Sequence, residues 1–314
     1  MNVYIADVAK CLFVHSGKWA FEERQKIGAG ATFFLHIPKS AGTAFNSALA
    51  AALNASSIVS GFDHCVFGSF SEFATIQPDI RASIYAPSEP LPKEVDFIGG
   101  HFALSTVRRY YPNANTCVVL REPISRILSH WLYWRQFSDD ELTGWGPAWS
   151  RRVLRARGAL VDFLRDPEIA CQIDNVATRM VLWPDVRVPD GAFIERRNDQ
   201  AILLDVEAEV RRFDFIDYLE NPDFVANVEK WIGVPFVLPR MNETRPACEL
   251  FPVDLDRELT PEAFALLEER SRLDQSLWQT VAVRRGAGDT ARLKQELIRD
   301  FLRRQNRIQA RRGR

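Results

Sequence analysis

The chain has 314 residues, of which 46% are hydrophobic and 26% are charged. This balance is that of an ordinary globular protein, and the length fits one large domain or two modest ones. Lys and Arg number 40 against 41 Asp and Glu, for a net charge of -1. The overall charge therefore gives no attraction to nucleic acid or to an anionic membrane, and any anion site has to be built locally.

The five cysteines are dispersed along the chain and show no CxxC pair or metal-ligand spacing. An odd, scattered set indicates reduced thiols and a cytoplasmic protein. The N-terminus lacks a signal-peptide pattern, and no run reaches the roughly 18 apolar residues of a transmembrane helix. We therefore expect no membrane anchor of the Golgi type, and a peripheral extension over residues 1–30.

The first readable element is a strand, a loop and a helix. Residues 32–37 form a β-prone run, and apolar residues recur at helical spacing after position 43. The loop between them consists of Pro38, Lys39, Ser40, Ala41, Gly42 and Thr43. A loop from a strand end to a helix start presents free backbone N–H groups and the positive end of the helix dipole, which together bind phosphate. The alternative is an ordinary turn with a surface lysine.

This loop is not a Walker A motif, because no glycine stands between Ala31 and Lys39. A strand ending in a magnesium-holding Asp is also not evident. Small residues at positions 40–42 would instead let the backbone approach an anion closely, and Lys39 adds a full charge. We therefore expect an anion site without a metal.

Further along, residues 95–98 read as a buried strand that ends at Gly99-Gly100, and residues 116–120 as another. Pro123 suits the first turn of the next helix. Arg121 follows the second strand, at the carboxyl edge where open α/β sheets bind ligands. Its guanidinium can grip a phosphate bidentately, with Ser129 two turns down the helix. The alternative is an Arg-Glu-Pro turn that pairs its own charges.

A further strand is predicted over 213–218, a helix from Asn221 to Gly233, and late helices from Thr260 and Asp289. Strands that alternate with helices predict a parallel sheet with helices on both faces. We divide the chain into the extension, a domain over 31–285, and a C-terminal helix with a basic tail over 286–314. From Arg303 onward the composition favours a frayed or disordered tail.

Two segments together carry a family resemblance. His36-Ile-Pro-Lys-Ser-Ala-Gly-Thr43 resembles the 5′-phosphosulfate-binding loop of sulfotransferases that use 3′-phosphoadenosine-5′-phosphosulfate (PAPS). Val119 to Ser129 resembles their 3′-phosphate-binding segment, which carries the Arg and the Ser. Within that family, the chain resembles the carbohydrate branch, which includes the heparan sulfate 2-O-sulfotransferases. The resemblance covers roughly residues 32–282.

The resemblance implies a P-loop-like α/β sheet and an enzyme that moves a sulfuryl group from PAPS to a hydroxyl, without a required metal. It implies that Lys39 stabilises the leaving oxygen. Gly99-Gly100-His101-Phe102 matches the context of the family's general base, which makes His101 the base candidate. Without the resemblance, a packed structural histidine would be the simpler interpretation.

The acceptor side is less clear. A polar, glycine-bearing segment over 138–149 is expected to be a lid loop whose Trp145 and Trp149 stack on a sugar or pack on a neighbouring helix. Asn175, Thr178 and Arg179 resemble a polar helix segment of bacterial members. They share one helix face, which either lines the cleft or is a solvated or inter-helix polar face. The basic residues at 151, 152, 155 and 157 meet an acidic glycan or form a solvated face.

Weaker similarities to the family lie at 238–244 and 273–278. The expected partner is a small-molecule or glycan acceptor, with no nucleic acid, and the sequence leaves peripheral membrane contact open. Two other functions compete: a P-loop-type nucleotide kinase, and a non-catalytic nucleotide-binding module. The sequence indicates neither the acceptor nor the oligomeric state.

Overall fold

A computed structural model describes residues 27–28, 30–85, 91–239, 251 and 253–310. Most of the predicted N-terminal extension, most of the segment 238–244 and the last four residues lie outside the described residues. The three cysteines that the structure describes, Cys65, Cys117 and Cys171, are buried and unpaired.

Parallel strands form the centre of the molecule. The strands are β1 (Thr32–Leu35), β2 (Ile58–Val59), β3 (Phe62–Asp63), β4 (Ile84–Tyr85), β5 (Phe97–Ile98), β6 (Asn115–Leu120) and β7 (Phe215–Tyr218). Five of them make one sheet in the order β2-β5-β1-β6-β7, and β3 pairs with β4 separately. Every pairing is parallel, with Phe34 opposite Cys117 at the centre. The predicted parallel α/β fold is confirmed.

The α-helices of the described residues are α1 (Gly42–Ala52), α2 (Pro78–Arg81), α3 (Leu104–Tyr110), α4 (Pro123–Arg135), α5 (Asp139–Thr143), α6 (Gly146–Leu154), α7 (Leu160–Arg165), α8 (Ala170–Ile173), α9 (Val176–Leu182), α10 (Asp199–Val210), α11 (Phe224–Ile232), α12 (Leu255–Glu258), α13 (Pro261–Arg284) and α14 (Thr290–Ala310). Short 3₁₀ turns lie between several of them. In the described ranges, each helix is either too short or too polar to cross a bilayer.

The sheet separates two apolar cores. On one face, Phe45 of α1 and Trp231 of α11 pack with Phe34 and Phe215. On the other face, α4, α9 and α13 pack on Phe33, Leu35, Val118 and Leu120. Alternate strand residues point to opposite faces, and because both faces are covered the strands are apolar throughout.

This layering creates a crevice between β1 and β6. The chain leaves β1 into α1 on one face, and it leaves β6 into α4 on the other face. The two connections therefore diverge at the carboxyl ends of neighbouring strands, which is where open α/β sheets bind ligands. The two segments predicted to bind anions begin on either side of this crevice.

Two expectations about local structure are wrong. The segment 138–149 is not a loop: it forms α5 and the start of α6, because Ser138 and Glu141 make a reciprocal capping box and Trp149 is buried. The segment from Arg303 is also not frayed as far as Ala310. It continues α14, which is anchored by Phe301 at 3% exposure.

Candidate functional site

The loop after β1 has an unusual backbone. Lys39 and Ala41 have φ angles of 69° and 55°, in the left-handed region that non-glycine residues seldom adopt. Ala41 immediately precedes α1 and gives it no side-chain cap. The buried Ser40 hydroxyl, at 1% exposure, has no hydrogen-bond partner among the described residues. A strained loop with unused donors is typical of a ligand site.

Gly42 is required by close packing. A Cβ atom at this position would lie 1.8 Å from Cδ2 and Nε2 of His36. The His36 ring therefore lies directly on the first residue of α1. This contact fixes the loop between the end of β1 and the start of the helix. Pro38 is buried beside it, whereas Thr43 is exposed on the first turn of α1.

His101 lies on the other side of His36. The two rings are 4.2 Å apart, and Nδ1 of His101 is 2.6 Å from the backbone oxygen of His36. A carbonyl oxygen only accepts, so Nδ1 carries the proton and donates it. Nε2 is then the unprotonated nitrogen, with a lone pair available to take a proton.

The backbone holds His101 on both sides. Its N–H donates to Gly61 and its carbonyl accepts from Asp63, beside the parallel bridge to Phe62. Gly100 permits this approach, because a Cβ there would lie 2.5 Å from the Gly61 oxygen. Burial and the charge of Lys39 lower the pKa of His101 to about 4, so the imidazole is neutral near pH 7.

Arg121 joins the two predicted anion segments. Its Nη1 donates to the backbone oxygen of Lys39 at 2.9 Å. Its Nε is 4.0 Å from Glu220, and the guanidinium lies 5.4 Å from the ring centroid of Phe301. The expected loop and the expected arginine thus border one site and not two.

One face of α4 completes the site. Arg126, Ser129, His130 and Tyr133 follow each other at the spacing of a single helical face. The first three are buried, and Nζ of Lys39 lies 3.9 Å from the ring centroid of Tyr133. Since Tyr133 is one turn beyond Ser129, the lysine reaches the part of α4 that presents the predicted serine.

Positive charge accumulates here in a poorly hydrated setting. Burial and then the charge of Arg121 lower the pKa of Lys39 to about 8. Burial lowers the pKa of Arg121 as well, and that of Arg126 to about 10. Burial raises the pKa of Glu220 to about 7, against the opposing effect of Arg121. Buried positive charges repel one another, and an anion bound between them stabilises their charged forms.

The sequence predicted the helix that begins near Asp289, but not that this helix continues past Arg303 and packs at the site. α14 packs on α4, its Phe301 lies beside Arg121, and the charge of Arg304 acts on Arg121. The available signal was the apolar spacing of Leu297, Phe301 and neighbouring residues within a basic sequence. From Arg303 onward, the basic composition was interpreted instead as a tail.

Asn175 and Arg179, the predicted acceptor residues, have partners within the protein. Both are buried, at 0% and 3% exposure. Arg179 pairs with Asp174 at 2.6 Å and donates to the backbone oxygens of Pro189 and Ala192. Asn175 accepts from the backbone N–H of Leu273. These groups are used in joining α9 to α13 and to the segment after α9, so the inter-helix alternative describes them.

The two tryptophans of the expected lid, Trp145 and Trp149, lie in different environments. Trp149 is buried against Phe67 and Phe70 in the core. Trp145 is only half-buried; its ring lies 5.7 Å from that of Phe62, which lies 5.5 Å from His101. Trp145 therefore borders the region of the base candidate.

Three of the four nearby basic residues, Arg152, Arg155 and Arg157, have partners within the protein. Arg155 pairs with Asp166 and Glu168, and Arg157 pairs with Asp139. Arg152 donates to the backbone oxygens of Phe67 and Glu168. The interpretation of these residues as an acidic-glycan site gains no support from this arrangement.

A cavity of about 670 Å³ opens at the opposite, amino-terminal edge of the sheet. It is lined by residues that include Ser56, Lys93, Asp96 and Tyr111. The Asp96 carboxylate already accepts from the backbone N–H groups of Ser56 and Ser57. This cavity is remote from the crevice, so we place the functional site by chemistry and not by cavity size.

Within the described residues, no three His, Cys, Asp or Glu side chains are grouped as metal ligands. No model of a known protein family matches this chain, and no curated protein shows significant similarity to it.

Proposed function

We propose that this chain is a PAPS-dependent sulfotransferase that sulfates a hydroxyl group of a carbohydrate or glycolipid. The observation that carries the proposal is the hydrogen bond from Arg121 to the Lys39 backbone at 2.9 Å. It joins two segments, each of which resembles one half of a PAPS site. A nucleotide with anions at both ends fits one site bordered by both segments.

The unused donors fit such a ligand. The Ser40 hydroxyl and Nε of Arg126 are buried and have no partner among the described residues. Buried donors of this kind cost free energy unless a partner satisfies them. In this proposal the loop with Lys39, Ser40 and the first N–H groups of α1 holds the 5′-phosphosulfate, and Arg121 with Ser129 holds the 3′-phosphate.

PAPS supplies an activated sulfuryl group. During transfer, the bond between sulfur and the bridging phosphate oxygen breaks, and a bond forms from the acceptor oxygen to sulfur. Adenosine 3′,5′-bisphosphate leaves, and the acceptor proton passes to Nε2 of His101. Lys39 stabilises the negative charge that develops on the bridging oxygen. Positioning and charge stabilisation dominate in transfers of this loose type.

The tautomer of His101 suits this task, since the His36 carbonyl holds the proton on Nδ1. A pKa of about 4 makes the free imidazole a weak base. The anionic ends of a bound nucleotide raise this pKa, because a nearby negative charge favours the protonated ring. The base is thus strengthened when the donor is in place.

An acceptor would enter beside Phe62, whose ring lies next to His101, and beside Trp145, whose ring lies next to Phe62. A half-buried indole is a suitable platform for a sugar ring. Its apolar face packs on the sugar while its edge stays in contact with water. We include Trp145, but not Asn175 or Arg179, in the proposed acceptor site. Free, buried cysteines support a cytoplasmic location as part of the same proposal.

The test compares ligands by thermal stabilisation of the whole chain. Adenosine 3′,5′-bisphosphate is expected to stabilise the protein more than ATP with magnesium; at 100 times its Kd a ligand adds about 2.7 kcal/mol. Preference for ATP with magnesium would favour the kinase. Turnover of PAPS is then measured over a panel of sugars and glycolipids. Bisphosphate binding without turnover over a broad panel would favour the binding module.

A further inference from the structure

His130 is a buried histidine whose ring has no polar contact. It lies on α4 at 3% exposure, and neither ring nitrogen has a hydrogen-bond partner among the described residues. The ring packs on Trp134 with centroids 4.5 Å apart. An imidazole taken out of water without partners destabilises the folded protein. Such a group in a native protein calls for an explanation.

The position of His130 in the fold explains why its ring has no partner. It is on the α4 face that also carries Arg126, Ser129 and Tyr133, and Tyr133 contacts the Lys39 ammonium. Burial lowers the pKa of His130 well below its ordinary value, and the charges of Arg126, Lys39 and His101 act in the same direction. The ring is therefore neutral, with one nitrogen that donates and one that accepts.

We propose that His130 hydrogen-bonds the 5′-anionic end of the nucleotide, beside Lys39. This inference rests on the proposed function and extends it to a residue that the sequence did not single out. The 5′ end is favoured over the 3′ end because Tyr133, three residues further along the same face of α4, lies 3.9 Å from Nζ of Lys39, the lysine of the 5′ loop. A neutral donor adds a hydrogen bond to the anion without adding a further cation to an already positive site.

The test separates the two ends of the nucleotide. Binding of adenosine 3′,5′-bisphosphate is compared with binding of adenosine 3′-monophosphate, which lacks the 5′-phosphate. His130→Phe keeps the ring size and removes both nitrogens, whereas His130→Gln keeps a donor and an acceptor. His64→Gln serves as the control, since His64 is a half-buried histidine outside the proposed site.

We expect His130→Phe to weaken bisphosphate binding about tenfold and to leave 3′-monophosphate binding within about twofold, which corresponds to the loss of one hydrogen bond. His130→Gln should recover most of the loss, and His64→Gln should match the wild type. Equal weakening of both ligands, or no weakening of either, would overturn the role of His130.

Two further outcomes are distinguishable. If the wild-type protein does not bind the bisphosphate, the proposed function itself is refuted. The proposed contact of His130 is then refuted as well. If His130→Phe does not fold, ¹⁵N chemical shifts of the His130 ring in the wild-type protein decide. The bisphosphate should move them and the 3′-monophosphate should not, and unmoved shifts with both ligands would overturn the inference.

Discussion

Gly42→Ala tests the packing that shapes the anion loop. A Cβ atom at Gly42 would lie 1.8 Å from two atoms of the His36 ring. Ordinary contacts of this kind begin near 3.4 Å, so the ring or the start of α1 has to move by about 1.6 Å. The ring has little room, because it is stacked on Phe34 at 5.4 Å and lies 4.2 Å from the tilted ring of His101.

A displacement of this size removes at least one hydrogen bond between the loop and an anion. A hydrogen bond to a charged group contributes about 1.5–3 kcal/mol, so binding of adenosine 3′,5′-bisphosphate should weaken roughly 10- to 100-fold. Isothermal titration calorimetry measures this directly. Gly288→Ala is the matched control, because a Cβ there meets nothing within 4 Å.

The overlap is with a side chain, so it can be relieved. Adding His36→Ala to Gly42→Ala should recover part of the lost affinity, and urea unfolding confirms that each variant is folded. If Gly42→Ala bound adenosine 3′,5′-bisphosphate as tightly as Gly288→Ala does, this account of the loop would be refuted. Failure of the double variant to bind better than Gly42→Ala would show that the damage is not caused by the His36 ring.

Three further predictions concern the base, the arginine and acid stability. His101→Ala should lower kcat by roughly 10²–10⁴ while PAPS binding is largely kept, and equal loss of binding would make His101 a structural residue. In titrations, Arg121→Ala should weaken the binding of adenosine 3′,5′-bisphosphate by roughly 10- to 100-fold. The same change should weaken the binding of adenosine 5′-monophosphate, which has no 3′-phosphate, by less than about threefold. Equal weakening of the two ligands would contradict contact between Arg121 and the 3′-phosphate. The pKa of His101 in the folded protein lies below its ordinary value of 6.5, so the neutral ring favours the folded state above pH 6.5. This contribution to the free energy of unfolding is lost as the pH falls toward 4. Between pH 7.5 and 5, urea unfolding should show the wild type losing about 2 kcal/mol more than His101→Gln, and parallel losses would contradict the lowered pKa.

The sheet and the anion segments could be predicted because their signals are local. Continuous apolar runs followed by loops and helical stripes predicted β1, β6 and β7, and the structure has them within two residues of the expected ends. Residues just after such strands share one edge of the sheet. Lys39 and Arg121 are brought together for that reason.

The rest depended on contacts between distant parts of the chain. Asn175 is polar and immediately precedes α9, yet its side chain joins the backbone of α13, 98 residues away. Nothing near Asn175 in the sequence distinguishes a polar group that binds a ligand from one that binds another helix. His130 was uninformative for the same reason, since nothing near it in the sequence shows that Lys39 of the loop before α1 reaches the same face of α4.

The C-terminal helix α14 shows that amino-acid composition alone does not predict where a helix ends. Its basic residues suggested a tail, but Phe301 is held at 3% exposure beside Arg121, and Gln305 is buried one turn further on. A few apolar residues at helical spacing outweigh many exposed charges, because the charged side chains on the other face stay in water.

A crystal structure of the protein with adenosine 3′,5′-bisphosphate is the most direct test of the central claim, that one nucleotide spans the crevice between β1 and β6. The account predicts one phosphate on the loop of Lys39 and Ser40, and the other on Arg121 and Ser129. A nucleotide bound with both phosphates on one of these segments, or bound outside the crevice, would contradict it.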